Sequence, residues 1–150
     1  MKSSTFLLLA GAVILLALIG GGLAVSSLPG GYPGFVTAFA NAIATAEGFF
    51  VNGSRPQRNN NPGDIMSGGS FVVYNSISDG WNALYNQVSL MFTGGSSYYN
   101  PSMTIGQVAQ VYVDGPNATG MSPGATAWMN NVASVLGVSP GTTLATLMGA

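Results

Sequence analysis

Three observations predict an α+β, mainly α chain. Apolar residues recur at helical spacing through most of residues 35–147. One short stretch around two glycines reads as a β-hairpin. An uncharged run precedes both and predicts one N-terminal transmembrane helix. At 150 residues there is room for one domain plus an appendage.

Residues 6–25 carry no charge, and twenty apolar-rich residues suffice to span a bilayer as a helix. The run exceeds the apolar core of a signal peptide, roughly 7–15 residues, which favours a retained anchor. Gly22 and Ala24 leave cleavage before Val25, and hence secretion, as the alternative reading. Lys2 is the only flanking charge, and it places the N-terminus inside and the domain on the outer side, periplasmic or extracellular. Residues 26–34 (SSLPGGYPG) are a linker, so the expected organisation is anchor 1–25, linker 26–34 and domain 35–150.

Phe35, Phe39, Ile43 and Ala46 mark the first domain helix, ending at Glu47-Gly48. Gly53, Pro56, Pro62 and a cluster of Asn make residues 51–63 mostly loop. Ile65-Met66 and Phe71-Val72-Val73-Tyr74 flank Ser67-Gly68-Gly69-Ser70, the expected hairpin. Ser76 or Ser78, with Asp79, opens a core helix bearing Trp81, Leu84, Tyr85, Val88, Met91 and Phe92, which Gly94 ends. Thr104 caps a helix carrying Ile105, Val108, Val111 and Tyr112, and Asp114 to Asn117 read as a turn. Ser122-Pro123 opens a helix with Trp128, Val132, Val135 and Leu136 on its face. Ser139-Pro140 is expected to cap the last turn, with Leu144 and Leu147.

Composition narrows the chemistry. Charged residues are 5% of the chain, with 3 basic and 4 acidic, so no phosphate-binding patch exists and nucleic acid is excluded as a partner. Cys and His are both absent, which removes thiolate nucleophiles, imidazole bases and most zinc sites. No metal or cofactor is expected. Acid–base work falls to the carboxylates. Glu47 stands among Ala42, Ile43, Ala46, Phe49 and Phe50; desolvation there raises its pKa, as a general acid requires. An ordinary helix-end Glu before a capping glycine is the competing reading. Asp79 fits a capping role and Asp114 a turn.

Several motifs go further: Ala46-Glu47-Gly48-Phe49, Arg58-Asn59-Asn60-Asn61-Pro62-Gly63-Asp64-Ile65, Phe71-Val72-Val73-Tyr74 and Ser78-Asp79-Gly80-Trp81-Asn82-Ala83-Leu84. With Leu136-Gly137-Val138-Ser139 they resemble a family of small phage and prophage lysozyme-like proteins, muramidases or lytic transglycosylases, over nearly the whole domain. The resemblance implies a helical domain with a hairpin beside a cleft that cleaves the glycan strands of peptidoglycan. It implies Glu47 as general acid. Asp64 is the one nearby candidate for a second carboxylate, although relatives often carry Asn there. Asn59, Asn60 and Asn61 are candidates to bind sugar N-acetyl and hydroxyl groups, or else to satisfy their own turns. Tyr112, Asn117 and Trp128 match positions where relatives carry an aromatic, an Asn and an aromatic; both aromatics also suit helix cores.

The expected function is a membrane-anchored, phage- or prophage-encoded enzyme that opens the cell wall locally. Its expected partners are peptidoglycan, the bilayer through residues 6–25 and other virion proteins. The alternative is a virion or membrane structural protein that uses the fold to bind glycan or subunits without catalysis. The low charge motivates that alternative, since most soluble lysozymes are basic.

Overall fold

A computed structural model describes residues 31–149. The expected anchor at residues 6–25 lies outside them. Among the described residues, no helix is long and apolar enough to cross a membrane.

The first helix, α1 (Gly34–Ala46), buries Val36, Phe39, Ala40, Ala42, Ile43 and Ala44. Small alanines between larger side chains let neighbours approach closely. The helix ends in a Schellman motif: Gly48 N–H donates to Thr45 O and Phe49 N–H to Ala44 O, with Gly48 at φ +75°. The segment expected to be loop contains a single helical turn, α2 (Arg55–Arg58), which Ser54 caps and Pro56 opens. Strands β1 (Met66–Ser67) and β2 (Ser70–Phe71) pair antiparallel, with Met66 opposite Phe71. The hairpin is therefore shorter than its apolar run, with Val72 N–H reaching back to Ile65 O.

Helix α3 (Ile77–Thr93) is the long core helix, and it buries Leu84, Val88, Met91 and Phe92. Ser76 is its cap, accepting from Asp79 N–H while its hydroxyl donates to the Asp79 carboxylate. Helix α4 (Ile105–Ala109) carries a full capping box formed by Thr104 and Gln107. The expected continuation through Val111 and Tyr112 is not α-helical: Gln110–Asp114 widen into a π-helical turn. Helix α5 (Pro123–Leu136) begins at Ser122 and ends at Gly137 in the left-handed conformation. Helix α6 (Leu144–Met148) is capped by Thr143, not by Ser139 as the Ser-Pro pair suggested; Thr104 and Thr143 form a bridge that joins the two caps.

Helix α1 packs against both α3 and α5, and α4 packs on α5. Phe39 meets Phe92 edge-to-face at 5.4 Å within one continuous apolar cluster. The hairpin is too short to stand alone and is held by the Asn cluster. Asn61 is fully buried; its amide donates to Ile65 O and Val72 O, and its Oδ1 accepts from Ile65 N–H. Asn60, at φ +51°, donates its amide to Tyr74 O, and Asn59 O accepts from Tyr74 N–H. Asn tolerates the left-handed region better than most residues, which explains the choice at 60.

Gly80 is where α3 presses on this cluster. A Cβ there would stand 1.7 Å from Asn60 O, a backbone atom that cannot swing aside. Gly80→Ala is expected to cost about 3 kcal/mol and lower Tm by roughly 10 °C in thermal denaturation followed by circular dichroism. An unchanged Tm would show that the α3–Asn60 contact is not tight.

Candidate active site

The end of α1, the hairpin segment, the π-helical turn and α5 enclose an open cleft of about 660 Å³. Glu47 enters it as the C-cap residue of α1, while Ile43 and Ala44 just before it are fully buried. The indole N–H of Trp128, on α5, donates to Glu47 Oε1 at 2.8 Å. Trp128 is itself buried and stacks on Tyr112, with ring centroids 5.0 Å apart. The Tyr112 hydroxyl donates to Gly63 O at 2.6 Å. One chain of contacts thus runs from the Asn-Pro-Gly segment through two aromatic rings to the carboxyl.

Burial is the main influence on Glu47 and pushes its pKa up from 4.5 to about 7. The Trp128 hydrogen bond opposes it by stabilising the carboxylate, the Asp64 charge adds to the rise, and Arg55 partly offsets it. Tyr112 is raised well above its usual value, chiefly by burial, so its hydroxyl stays protonated and remains a donor.

Asp64 also lines the cleft but is engaged. Arg55 Nε donates to Asp64 Oδ1 at 3.1 Å, and the other guanidinium arm pairs with Oδ2. The guanidinium also lies over the Phe71 ring, 3.5 Å from its centroid. Asp64 sits at φ +47°, a conformation Asn would tolerate equally.

The structure brings four of the sequence's candidates together: Glu47, Asp64, Tyr112 and Trp128. It does not bring the others. Asn59, Asn60 and Asn61 do not line the cleft, and the amides of Asn60 and Asn61 are committed to the hairpin backbone. The hydrogen bonds of Asn60 and Asn61 fit the turn-forming alternative. Asn117 is exposed in the loop after the π-helical turn, also away from the cleft. Trp128 holds the Glu47 carboxyl through its indole N–H, and Tyr112 stacks on Trp128. Asp114 is more than a turn residue: its carboxylate accepts from both Ser122 N–H and Ser122 Oγ–H, which ties the π-helical turn to the start of α5 and lowers its pKa.

Other lining residues escaped the sequence reading. Tyr98, 62% exposed on the loop after α3, presents an aromatic surface at the cleft. Asn131 and Gln87 add amides at the rim. An adjacent Tyr98-Tyr99 pair in a Ser- and Asn-rich loop, between helices and off their apolar faces, was the available signal. Neither a family model, a curated protein nor a solved structure matches this chain.

The raised pKa makes a stability prediction. Between pH 4.5 and about 7 the folded chain holds a proton that the unfolded chain has released, so Glu47 lowers stability as pH rises through this window. Glu47→Gln keeps an oxygen for the Trp128 indole and removes the titration. By calorimetry, the variant is expected to match the native chain near pH 4 and to exceed its Tm by several degrees at about pH 8. A difference independent of pH would contradict the assignment.

Proposed function

We propose that this protein is a lysozyme-like glycosidase of the lytic transglycosylase type, membrane-anchored and phage- or prophage-encoded, which opens peptidoglycan locally. The observation that carries the reading is Glu47: a carboxyl that retains its proton near neutral pH, oriented by an indole N–H, in a cleft open to solvent. Such a group protonates the oxygen of a β-1,4 glycosidic bond as the sugar C1–O bond breaks. The conjugate carboxylate then takes the proton from the sugar's own 6-hydroxyl as that oxygen bonds to C1. A 1,6-anhydro sugar is released, no water is consumed, and Glu47 ends protonated as it began.

The state of Asp64 favours this route over hydrolysis. A hydrolase normally needs a second carboxylate acting from across the bond as base or nucleophile, about 5–9.5 Å from the first. Asp64 is the available candidate and is held by Arg55 in a two-pronged pair, which suits a structural role. The open cleft and Tyr98 suit a polymer passing through, with sugar rings against exposed aromatics.

The second reading, a virion or membrane structural protein that binds glycan or subunits without cutting, is favoured by the 5% charge content. A surface so poor in charge suits a lipid or protein neighbour better than free solution.

Release of soluble muropeptides from purified peptidoglycan by the full chain in detergent, with mass spectrometry of the products, separates these readings. The expected products end in 1,6-anhydro sugars, and Glu47→Gln abolishes release by roughly a thousandfold or more. Asp64→Asn retains activity within about tenfold, since one carboxyl suffices. Reducing-end products, with Asp64→Asn as damaging as Glu47→Gln, would mean hydrolysis. No release by folded native protein would favour the structural reading.

A further inference from the structure

A second aromatic assembly lies outside the cleft. Tyr32 and Tyr85 rings stand 5.1 Å apart, Tyr85 stacks on Trp81 at 5.5 Å, and Trp81 meets Phe50 at 6.4 Å. Phe49 braces the row from beneath, 5.7 Å from Trp81, and is buried. Phe50, Val51 and Ile77, near the row's far end in sequence or on the same helix stripe, are each more than half exposed. Nothing in the ladder is charged. The Tyr32 hydroxyl donates to Asn86 Oδ1, which supplies the polar rim. Apolar rings with hydroxyls at one end are the composition found where proteins meet the interfacial zone of a bilayer.

The ladder is also where the chain arrives from its apolar N-terminal run. Tyr32 belongs to the ladder, and residues 26–31 alone separate it from residue 25. Fully extended, that connection reaches at most about 25 Å. A domain of this size has a diameter of roughly 35 Å, so the tether holds this face near any membrane that residues 6–25 enter. Tethering raises the effective concentration of the face at the lipid, so weak interfacial affinity suffices.

We propose that the Tyr32–Tyr85–Trp81–Phe50 ladder is a membrane-docking face that rests on the bilayer holding residues 6–25. The inference rests on the anchor reading and is independent of glycosidase activity. It assigns an orientation to the domain. Gln87 lines the cleft while Tyr85 belongs to the ladder, and two residues along an α-helix are 200° of rotation. Cleft and ladder therefore occupy different flanks of α3. A ladder on lipid leaves the Glu47 cleft facing away from it, toward the wall.

The two tryptophans make this measurable, because one lies in the ladder and one in the cleft. Full chain is placed in phosphatidylcholine vesicles with bromine high on the acyl chains. Trp128→Phe reports Trp81 alone, and Trp81→Phe reports Trp128 alone. Trp81 is expected to lose roughly half or more of its emission to the bromolipid and to resist aqueous acrylamide, with Trp128 emission unaffected by bromine. Phe50→Ser, at an exposed position, is expected to restore acrylamide access to Trp81. Vesicle-bound protein that resists carbonate extraction, with Trp81 unquenched by bromine, would overturn the docking face and leave the anchor standing. Protein that fails to bind vesicles would overturn both, while muropeptide release tests the enzyme separately. Shielding of Trp81 by added glycan strands or by a second copy, without bromine quenching, would reassign the ladder and overturn its lipid role.

Discussion

The hydrogen bond from the Trp128 indole to Glu47 joins the end of α1 to the middle of α5, and the site depends on it. Each partner is placed by something else. The Schellman turn at Gly48 stops α1 so that Glu47 enters the cleft, while Phe49 turns back into the core. Trp128 is held by burial and by Tyr112, whose hydroxyl is fixed on Gly63. The carboxyl is thus oriented from a scaffold with few torsions left free, as the proposed role of proton donor requires. Its location has an electrostatic cost. A carboxylate at a helix C-terminus faces the negative end of the dipole, and burial adds to the penalty. Both effects favour the protonated form, so the feature that makes the position unfavourable for an ordinary Glu suits a general acid.

The Asn-Pro-Gly segment supports the site indirectly. Asn60 and Asn61 replace the sheet partners that a hairpin of two-residue strands lacks, and Gly63 lets Tyr112 and Leu84 approach: a Cβ there would lie 2.7 Å from Leu84 Cδ1 and 3.0 Å from the Tyr112 hydroxyl. The same segment presents Asp64 to Arg55, closing one wall of the cleft. The amides of Asn60 and Asn61 brace the hairpin backbone from within, as polar groups taken out of water require.

Much of the helical frame was legible because periodicity and caps are local signals. Ser76, Thr104, Ser122, Gly94 and Gly137 all stop or start helices where their chemistry says they should. The apolar setting of Glu47 was legible for the same reason. What was not legible depends on contacts distant in sequence. The π-helical turn follows an α-helical apolar pattern, and its distinguishing contacts, Asp114 to Ser122, Tyr112 to Gly63 and Gln110 to Ala118, are made outside the turn itself. In sequence the Asn cluster reads equally well as sugar contact or turn; in the fold Ile65, Val72 and Tyr74 take hydrogen bonds from Asn60 and Asn61. Thr143 outcompetes Ser139 as a cap because its bridge to Thr104 fixes the extended backbone before α6.

Whether Glu47 carries its proton near neutrality is simple to measure in this chain. Glu47 is the only glutamate among its four acidic residues, so selective 13C labelling of the side-chain carboxyl gives one glutamate resonance to follow by NMR. Titration of the full chain is expected to give a midpoint near 7, and Trp128→Phe is expected to move it higher by removing the bond that favours the carboxylate. A midpoint at the ordinary value of 4.5 would contradict the account, because a carboxylate already ionised near neutral pH has no proton to give.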